Sequence, residues 1–396
     1  MTMSEMNYQI SLPTRIRFGQ NSLSALPQEA SALGRRAFLL VDPFLKDSRL
    51  ECAVVAGLAA AGVEARLWHD VVPNPRAATC DAAAADARNW RAEIIIAIGG
   101  GSTIDAAKAV SLVAANGGSA WDFTARADVK VLTPARRGFP FIAVPTNAGT
   151  GAEITPFAVL SNPDLKLKAT IIHPFCYPDV ALIDPDLHVS NPARLTASTG
   201  VDTFLHAFEG FIGTRPNTWS DLFSIRAMEL VASNLPVACA EPANTDARTG
   251  MAEACYMAGV TLGNVGVGIP HALGQALGAL KDTPHGESCA AFLVSTVRWT
   301  LPEAGERIAR VARIFRPDLG RLPESEQAKA LPGALADFFT SIGLSGGLEA
   351  LGLTSGEVEP LVAIALANYG QDVACSRRPA AREDLYAIVR DSFKSG

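Results

Sequence analysis

The chain has 396 residues, 48% of them hydrophobic and 19% charged, with a net charge of −6. Such a length carries two domains, each with its own core. The acidic balance, without a long basic run, excludes the electrostatic footprint of a nucleic-acid or anionic-membrane binder.

Seven cysteines, at 52, 80, 176, 239, 255, 289 and 375, form no CxxC pair and no structural-zinc spacing. An odd, scattered set implies reduced thiols in the cytoplasm rather than a disulfide framework. Met1 to Ile10 lacks the apolar core of a signal peptide. No uncharged apolar run reaches the roughly 18 residues of a membrane span.

Leu12 to Phe18 mixes apolar and basic residues, as an edge strand does. Arg36 to Val41 is a short apolar run closed by Asp42-Pro43, the pattern of a buried parallel strand that ends in a turn. Ala-rich helical segments follow over Arg49 to Ala61 and Cys80 to Trp90, with a strand over Val63 to Trp68 between them. Glu93 to Ile98 is the clearest buried strand. Alternating strands and helices predict a parallel sheet covered by helices on its faces.

That strand runs into Gly99-Gly100-Gly101-Ser102-Thr103-Ile104-Asp105. Three glycines permit a tight turn and close ligand approach, and the helix start that follows offers a pyrophosphate seat. The plainer reading is a capped turn, with Ser102 as N-cap and Asp105 three residues on in a capping-box arrangement that also leaves Asp105 open to a cofactor role. Asp42, at the end of an early strand, is placed to bind the adenosine ribose and disfavour a 2′-phosphate, so NAD is preferred over NADP; the alternative is a turn-forming Asp-Pro. Asn74 is a turn residue with cofactor contact as a second role.

Phe141 to Pro145 reads as a strand, followed by a hydroxyl-rich loop from Thr146 to Thr155. Lys166 and Lys168 read as solvated on their own. Val180 to Ile183 is the last strand of this half, and Asp186 to Asn191 is the expected boundary, giving domains 1–187 and 188–396. Beyond it long helical segments take over: Pro192 to Ile212, Trp219 to Asn234, Ala247 to Gly263, Ile269 to Leu280, Gly286 to Leu301, Ala304 to Phe315, Ser325 to Ile342, Ser355 to Asn368 and Ala381 to Lys394.

Asp202 and His206 lie four residues apart in an apolar helical run and so share one helix face. With His271 and His285 they make a four-donor set that suits a divalent cation with room for a substrate oxygen. Pro284 sets His285 on a loop or a new helix start. His69, His173 and His188 have no ligand partner nearby in the sequence and read as structural or surface residues.

Gly99 to Asp105 with Lys108, Pro145 to Glu153, Asp202-x-x-x-His206, His271 and Pro284-His285-Gly286 together resemble the iron-containing (group III) alcohol dehydrogenases over nearly the whole chain. The resemblance implies an α/β N-terminal Rossmann-like dinucleotide-binding domain and an all-α C-terminal metal- and substrate-binding domain, the fold shared with dehydroquinate synthase. It implies that Asp202, His206, His271 and His285 ligate Fe(II), or sometimes Zn(II). It places Gly100, Gly101 and Ser102 on the pyrophosphate, and Asp42, Asn74, Thr146, Thr150, Thr155, Lys168 and Leu187 along NAD(P). One departure stands out. Many members carry a second His where this chain has Gln275, which orients but does not titrate.

The expected function is metal-dependent, NAD(P)-linked hydride transfer between a small alcohol and its carbonyl form, in a homodimer or higher oligomer. A dehydroquinate-synthase-like lyase using NAD transiently, and a non-catalytic nucleotide-binding relative, are the alternatives.

Overall fold

The computed structural model of the protein describes residues 7–126, 129–165, 167–344 and 347–393. Lys166, Met1 to Met6 of the N-terminal stretch and the Lys394 end of the last expected helix lie outside the described residues.

Strands that are apolar at every position need cover on both faces, and that rule explains the N-terminal unit. The strands are β1 (Arg15–Phe18), β2 (Arg36–Val41), β3 (Glu64–Trp68), β4 (Ile94–Gly99), β5 (Thr124–Ala125), β6 (Phe141–Pro145), β7 (Phe157–Asn162), β8 (Leu167–Ile172) and β9 (Val180–Ile183). Six form one parallel sheet in the order β1-β9-β6-β4-β2-β3. Because side chains alternate along a strand, Phe38, Leu40, Ile95, Ala97, Phe141 and Ala143 enter one core. Their neighbours Leu39, Val41, Ile96, Ile98, Ile142 and Val144 enter another. Helices α1 (Leu26–Leu33) and α2 (Arg49–Ala60) supply Leu26, Ala30, Val54 and Leu58 to the second core. Helices α3 (Ala77–Asn89) and α4 (Gly101–Asn116) supply Ala83, Ala84, Ala107 and Val110 to the first.

The remaining strands make a small antiparallel sheet, β5-β8-β7. Two charged side chains of α4 fasten it. The Asp105 carboxylate accepts from the Val159 amide at 3.0 Å. Fully buried Lys108 donates to the Thr155 carbonyl at 2.9 Å and the Phe157 carbonyl at 2.6 Å. The capping expectation at the start of α4 is corrected. Gly100 is the N-cap, with no side-chain cap, and Ser102 lies inside the first turn.

The helical unit comprises α5 (Ala193–Ile212), α6 (Thr218–Ala240), α7 (Thr245–Val265), α8 (Ile269–Lys281), α9 (His285–Ala290), α10 (Leu293–Phe315), α11 (Glu324–Ser341), α12 (Gly347–Ala350), α13 (Val358–Ala374) and α14 (Arg382–Ser392). The expected helix over Gly286 to Leu301 is two helices broken at Ala291–Phe292. The expected break near Pro302 is only a kink at Ala304, within α10. Ser190 onward, the described residues up to Ser11, and Ala148–Thr150 form one contact unit; Leu12–Asn147 with Gly151–Val189 form the other. Ser11 joins the helices through Asn264, whose side chain accepts from the Ser11 amide at 2.7 Å. Helix α6 is long and apolar enough to cross a membrane by length and composition. Here Ala227, Met228, Val231 and Leu235 place it in the helical core.

Candidate metal centre and cofactor edge

Helix α5 is buried along most of its length, including the polar side chains of Asp202, His206 and Glu209. A polar group in that setting needs a partner or an ion. Gly286 lets the start of α9 lie directly on α5, because a Cβ there would overlap the Ser198 carbonyl. His285, the first residue of α9, is thereby set beside Asp202. Helix α8 opens at Ile269 with Pro270 in its first turn and presents His271 to the same spot.

The result is a convergence on one oxygen. Asp202 Oδ1 lies 3.7 Å from His206 Nε2, 3.4 Å from His271 Nε2 and 3.6 Å from His285 Nε2. Asp202 Oδ1 and His271 Nε2 are both buried without a hydrogen-bond partner. Converging donors of three imidazoles and one carboxylate, two of those atoms buried and unpartnered, fit a divalent ion such as Fe(II) or Zn(II).

Glu209 escaped the sequence reading. Its Oε1 accepts from His271 Nδ1 at 2.6 Å, and its Oε2 accepts from the Gly268 amide at 2.5 Å. With Nδ1 occupied, Nε2 is the nitrogen left for an ion. The signal was available: a Glu in an apolar run, three residues past His206 and seven past Asp202, shares their helix face.

With protons as the only cations, the site is strongly polarised. Burial would raise Asp202, but His206, His285 and His271 outweigh it and hold the carboxyl well below its usual range. Burial holds His206 down at about 4, against the pull of Asp202. Burial would also lower His271, yet Glu209, with Asp202, pushes it up to about 10. Gln275, one turn beyond His271, donates from Nε2 to Asp372 Oδ2 at 3.4 Å. Burial pushes Asp372 up to about 7.

The second group of residues sits at the carboxyl ends of β2, β4 and β6. The Asp42 amide donates to the Ile98 carbonyl at 2.9 Å and the Thr146 amide to the Gly99 carbonyl at 3.0 Å. Asp42 Oδ1 also accepts from the Phe44 amide at 3.1 Å, so its turn role is realised. A Cβ on Gly100 would come 2.5 Å from Asn147 Nδ2. A side chain there would push the Asn147 amide aside, next to the first turn of α4 that includes Gly101 and Ser102. Such an uncapped helix start on a sheet's carboxyl edge is suited to a pyrophosphate.

Three expected contacts of the cofactor are drawn together. Lys168 Nζ donates to Asn74 Oδ1 at 2.8 Å, and the Asn74 amide donates to Ser102 Oγ at 3.3 Å. Asn74 holds a left-handed backbone, φ 54°. Lys168 is 7% exposed, so the solvated reading of that lysine gives way to a buried one. Others are dispersed. Thr155 serves Lys108 through its carbonyl and hydroxyl, and Asp105 serves the small sheet. Leu187 packs against the apolar core under β2 and β4. Thr150 belongs to the contact unit of the helices. The three other histidines have protein partners: His69 Nε2 lies 2.5 Å from Glu51 Oε2, His173 Nδ1 accepts from the Phe175 amide, and His188 Nε2 lies 3.2 Å from the Pro145 carbonyl.

Residues 13–185 match the family model described as iron-containing alcohol dehydrogenase. Residues 196–393 match the C-terminal model of the Fe-containing alcohol dehydrogenase family. The chain is 31% identical over 386 residues to long-chain-alcohol dehydrogenase 1 of Geobacillus thermodenitrificans, covering 97% of this chain and 96% of that one. It is 30% identical over 395 residues to 1,3-propanediol dehydrogenase of Klebsiella pneumoniae, covering 99% of this chain and all of that one. Sulfoacetaldehyde reductase from Bifidobacterium kashiwanohense, solved in complex with NAD+, superposes with a TM-score of 0.88 at 29% identity, covering 99% of this chain and 100% of the other.

Proposed function

The chain belongs to the iron-containing alcohol dehydrogenase family, and from that premise we propose how its residues divide the work. It is a metal-dependent, NAD-linked oxidoreductase of CH–OH groups. Asp202, His206, His271 and His285 hold the divalent ion, Fe(II) by the family's description and Zn(II) by donor type. The observation that carries this assignment is the meeting of three imidazole Nε2 atoms within 3.7 Å of one buried Asp202 oxygen. When bound, the ion supplies Lewis acidity towards a carbonyl or alkoxide oxygen, and the nicotinamide exchanges a hydride with the carbon that bears it.

The chain's own residues do the rest. Glu209 orients His271 and fixes which nitrogen faces the ion. Gly100, Gly101 and Ser102 seat the pyrophosphate at the start of α4, with Asn74 and Lys168 beside them. Thr146 lines the cofactor, and so do Thr150, Thr155 and Leu187. Asp42 takes the ribose and favours NAD over NADP. Gln275 holds a substrate oxygen or water by hydrogen bonding, while Asp372, joined to its amide, carries the titrating proton. Small alcohols and aldehydes are the substrates. The protein works in the cytoplasm as a homodimer or larger oligomer.

The test is metal content and turnover of Asp202→Ala and His271→Ala proteins, followed by NADH absorbance over aldehydes, alcohols and diols. Both variants lose metal and activity together. A metal-free variant with full turnover overturns the assignment, and the absence of net NADH change during turnover restores the lyase reading.

A further inference from the structure

Helix α5 grips a loop as well as carrying donors for the ion. Thr203, the residue after Asp202, is completely buried, and its Oγ1 donates to the Gly149 carbonyl at 3.2 Å. The Gly149 amide donates in turn to Cys255 Sγ, on α7, at 3.0 Å. Gly149 and Cys255 are both buried. Both polar groups of one backbone residue are thus taken by side chains 54 and 106 positions away in the chain.

The surroundings are shaped for this grip. The Ala148 side chain enters the apolar core of the helices. A Cβ on Gly149 would come 2.7 Å from the Thr199 Cβ and 3.1 Å from its Cα, so the loop backbone lies directly on α5. Buried backbone groups need partners, and Thr203 and Cys255 supply them. Thr150, the next residue, belongs with Ala148 and Gly149 to the contact unit of the helices and stays partly exposed. It is the first position past the grip that is open to a ligand.

We propose that Thr203 and Cys255 are positioning residues: by clamping Gly149 they hold Thr150, and with it the bound NAD, at a fixed distance from the turn of α5 that carries Asp202 and His206. The inference rests on the reading of Thr150 as a cofactor contact and of Asp202 and His206 as metal ligands. Thr203 lies one residue after the first of these ligands and three before the second. A shift of the loop therefore changes the spacing of cofactor and ion without removing a ligand. Reactions are steep in such spacing, and a misplacement of about 1 Å costs on the order of 100-fold in rate.

The test is NADH affinity by fluorescence titration of the metal-loaded, full-length protein, with metal content and kcat measured alongside. Thr203→Val and Cys255→Ala each bind NADH roughly three- to tenfold more weakly and turn over roughly tenfold more slowly, at the metal content of the wild type. Thr203→Ser and Cys255→Ser keep a hydroxyl at the clamp and recover most of both losses, a rescue that a packing role does not give. The two bonds are broken separately, so a variant that fails to fold leaves the other to decide. Wild-type NADH affinity and kcat in a folded Thr203→Val or Cys255→Ala protein overturn the proposal. Ser variants that lose as much as their Val and Ala counterparts also overturn it, and so does loss of metal in Thr203→Val, which assigns that residue to the ligands. Wild-type NADH affinity in Thr150→Val removes the cofactor reading, and the proposal with it. Weakened binding in Thr150→Val beside unaffected clamp variants overturns the clamp alone.

Discussion

Glu209 Oε1 and His271 Nδ1 lie 2.6 Å apart, and both side chains are buried. The carboxylate therefore fixes the ring of a metal ligand while its other oxygen takes the Gly268 amide at the mouth of α8. Removing such a supporting carboxylate costs roughly 10–100-fold in metal affinity. Glu209→Gln keeps the volume but weakens the bond, and Glu209→Ala also strands the Gly268 amide. Competition with a calibrated chelator should give a graded loss, Ala greater than Gln. Undiminished affinity in both would reduce Glu209 to a packing role.

Lys108 is the most deeply buried cation described, and its ammonium donates to Thr155 and to Phe157, the first residue of β7 in the small sheet. Lys108→Met keeps the stem and removes the donors. Each buried acceptor left unpaired costs about 1–3 kcal/mol, so the loss should be several kcal/mol in total. Thermal or denaturant unfolding measures it. The same substitution should weaken NAD binding only to the extent that the β7–β8 hairpin moves, which titration calorimetry at a temperature well below the melting point separates from global unfolding.

Asp105 gives stability a pH dependence of predictable sign. Burial pushes its carboxyl up to about 6 from an ordinary value of 3.8, while Lys108 and the Val159 amide pull it back. A folded pKa above the unfolded one means that the contribution is present at low pH and is lost as pH rises through about 6. Relative to Asp105→Asn, which does not titrate, the wild type should gain on the order of 1.4 kcal/mol as pH falls from 7.5 to 5. Paired unfolding curves at the two pH values check it, and a difference that does not change with pH would refute it.

These residues also mark how far the sequence could be read. Asp202 and His206 are legible because helical spacing puts them on one face, and the parallel sheet is legible because β2, β4, β6 and β9 are short apolar runs, with helices between β2, β4 and β6. The β7–β8 hairpin is not. β7 is apolar only over Phe157–Leu160 and β8 mixes Lys168 and Thr170 with apolar residues, and what secures them, Asp105 and Lys108, reads locally as part of a phosphate turn. Glu209 was passed over although its helical spacing from Asp202 and His206 was legible; the partner that gives it a role, His271, lies on another helix, α8. The break at Ala291–Phe292 was hidden because the composition on both sides is equally helical.

Gln275 stands where the family resemblance leads one to expect a second histidine, and Asp372 gives that difference a measurable form. Gln275 Nε2 donates to Asp372 Oδ2 at 3.4 Å. Burial, with Glu209, pushes Asp372 up to about 7, while His271 and the Gln275 amide restrain it. Tyr369 and Cys375 also feel its charge, yet burial keeps both protonated through neutral pH. Asp372 is therefore the group of this cluster that changes charge near neutrality, and Gln275 links it to the turn of α8 that carries His271. Aldehyde reduction consumes a proton, so kcat/KM in that direction should fall as pH rises through about 7 and Asp372 empties. Asp372→Asn should be slower at pH 6 and should lose the inflection near 7, because an amide neither gives nor takes a proton there. Gln275→His should restore a titration to that variant by placing an imidazole one turn from His271. If the inflection survives unchanged in Asp372→Asn, the proton comes from another group, and the Gln275–Asp372 hydrogen bond serves only to position the amide.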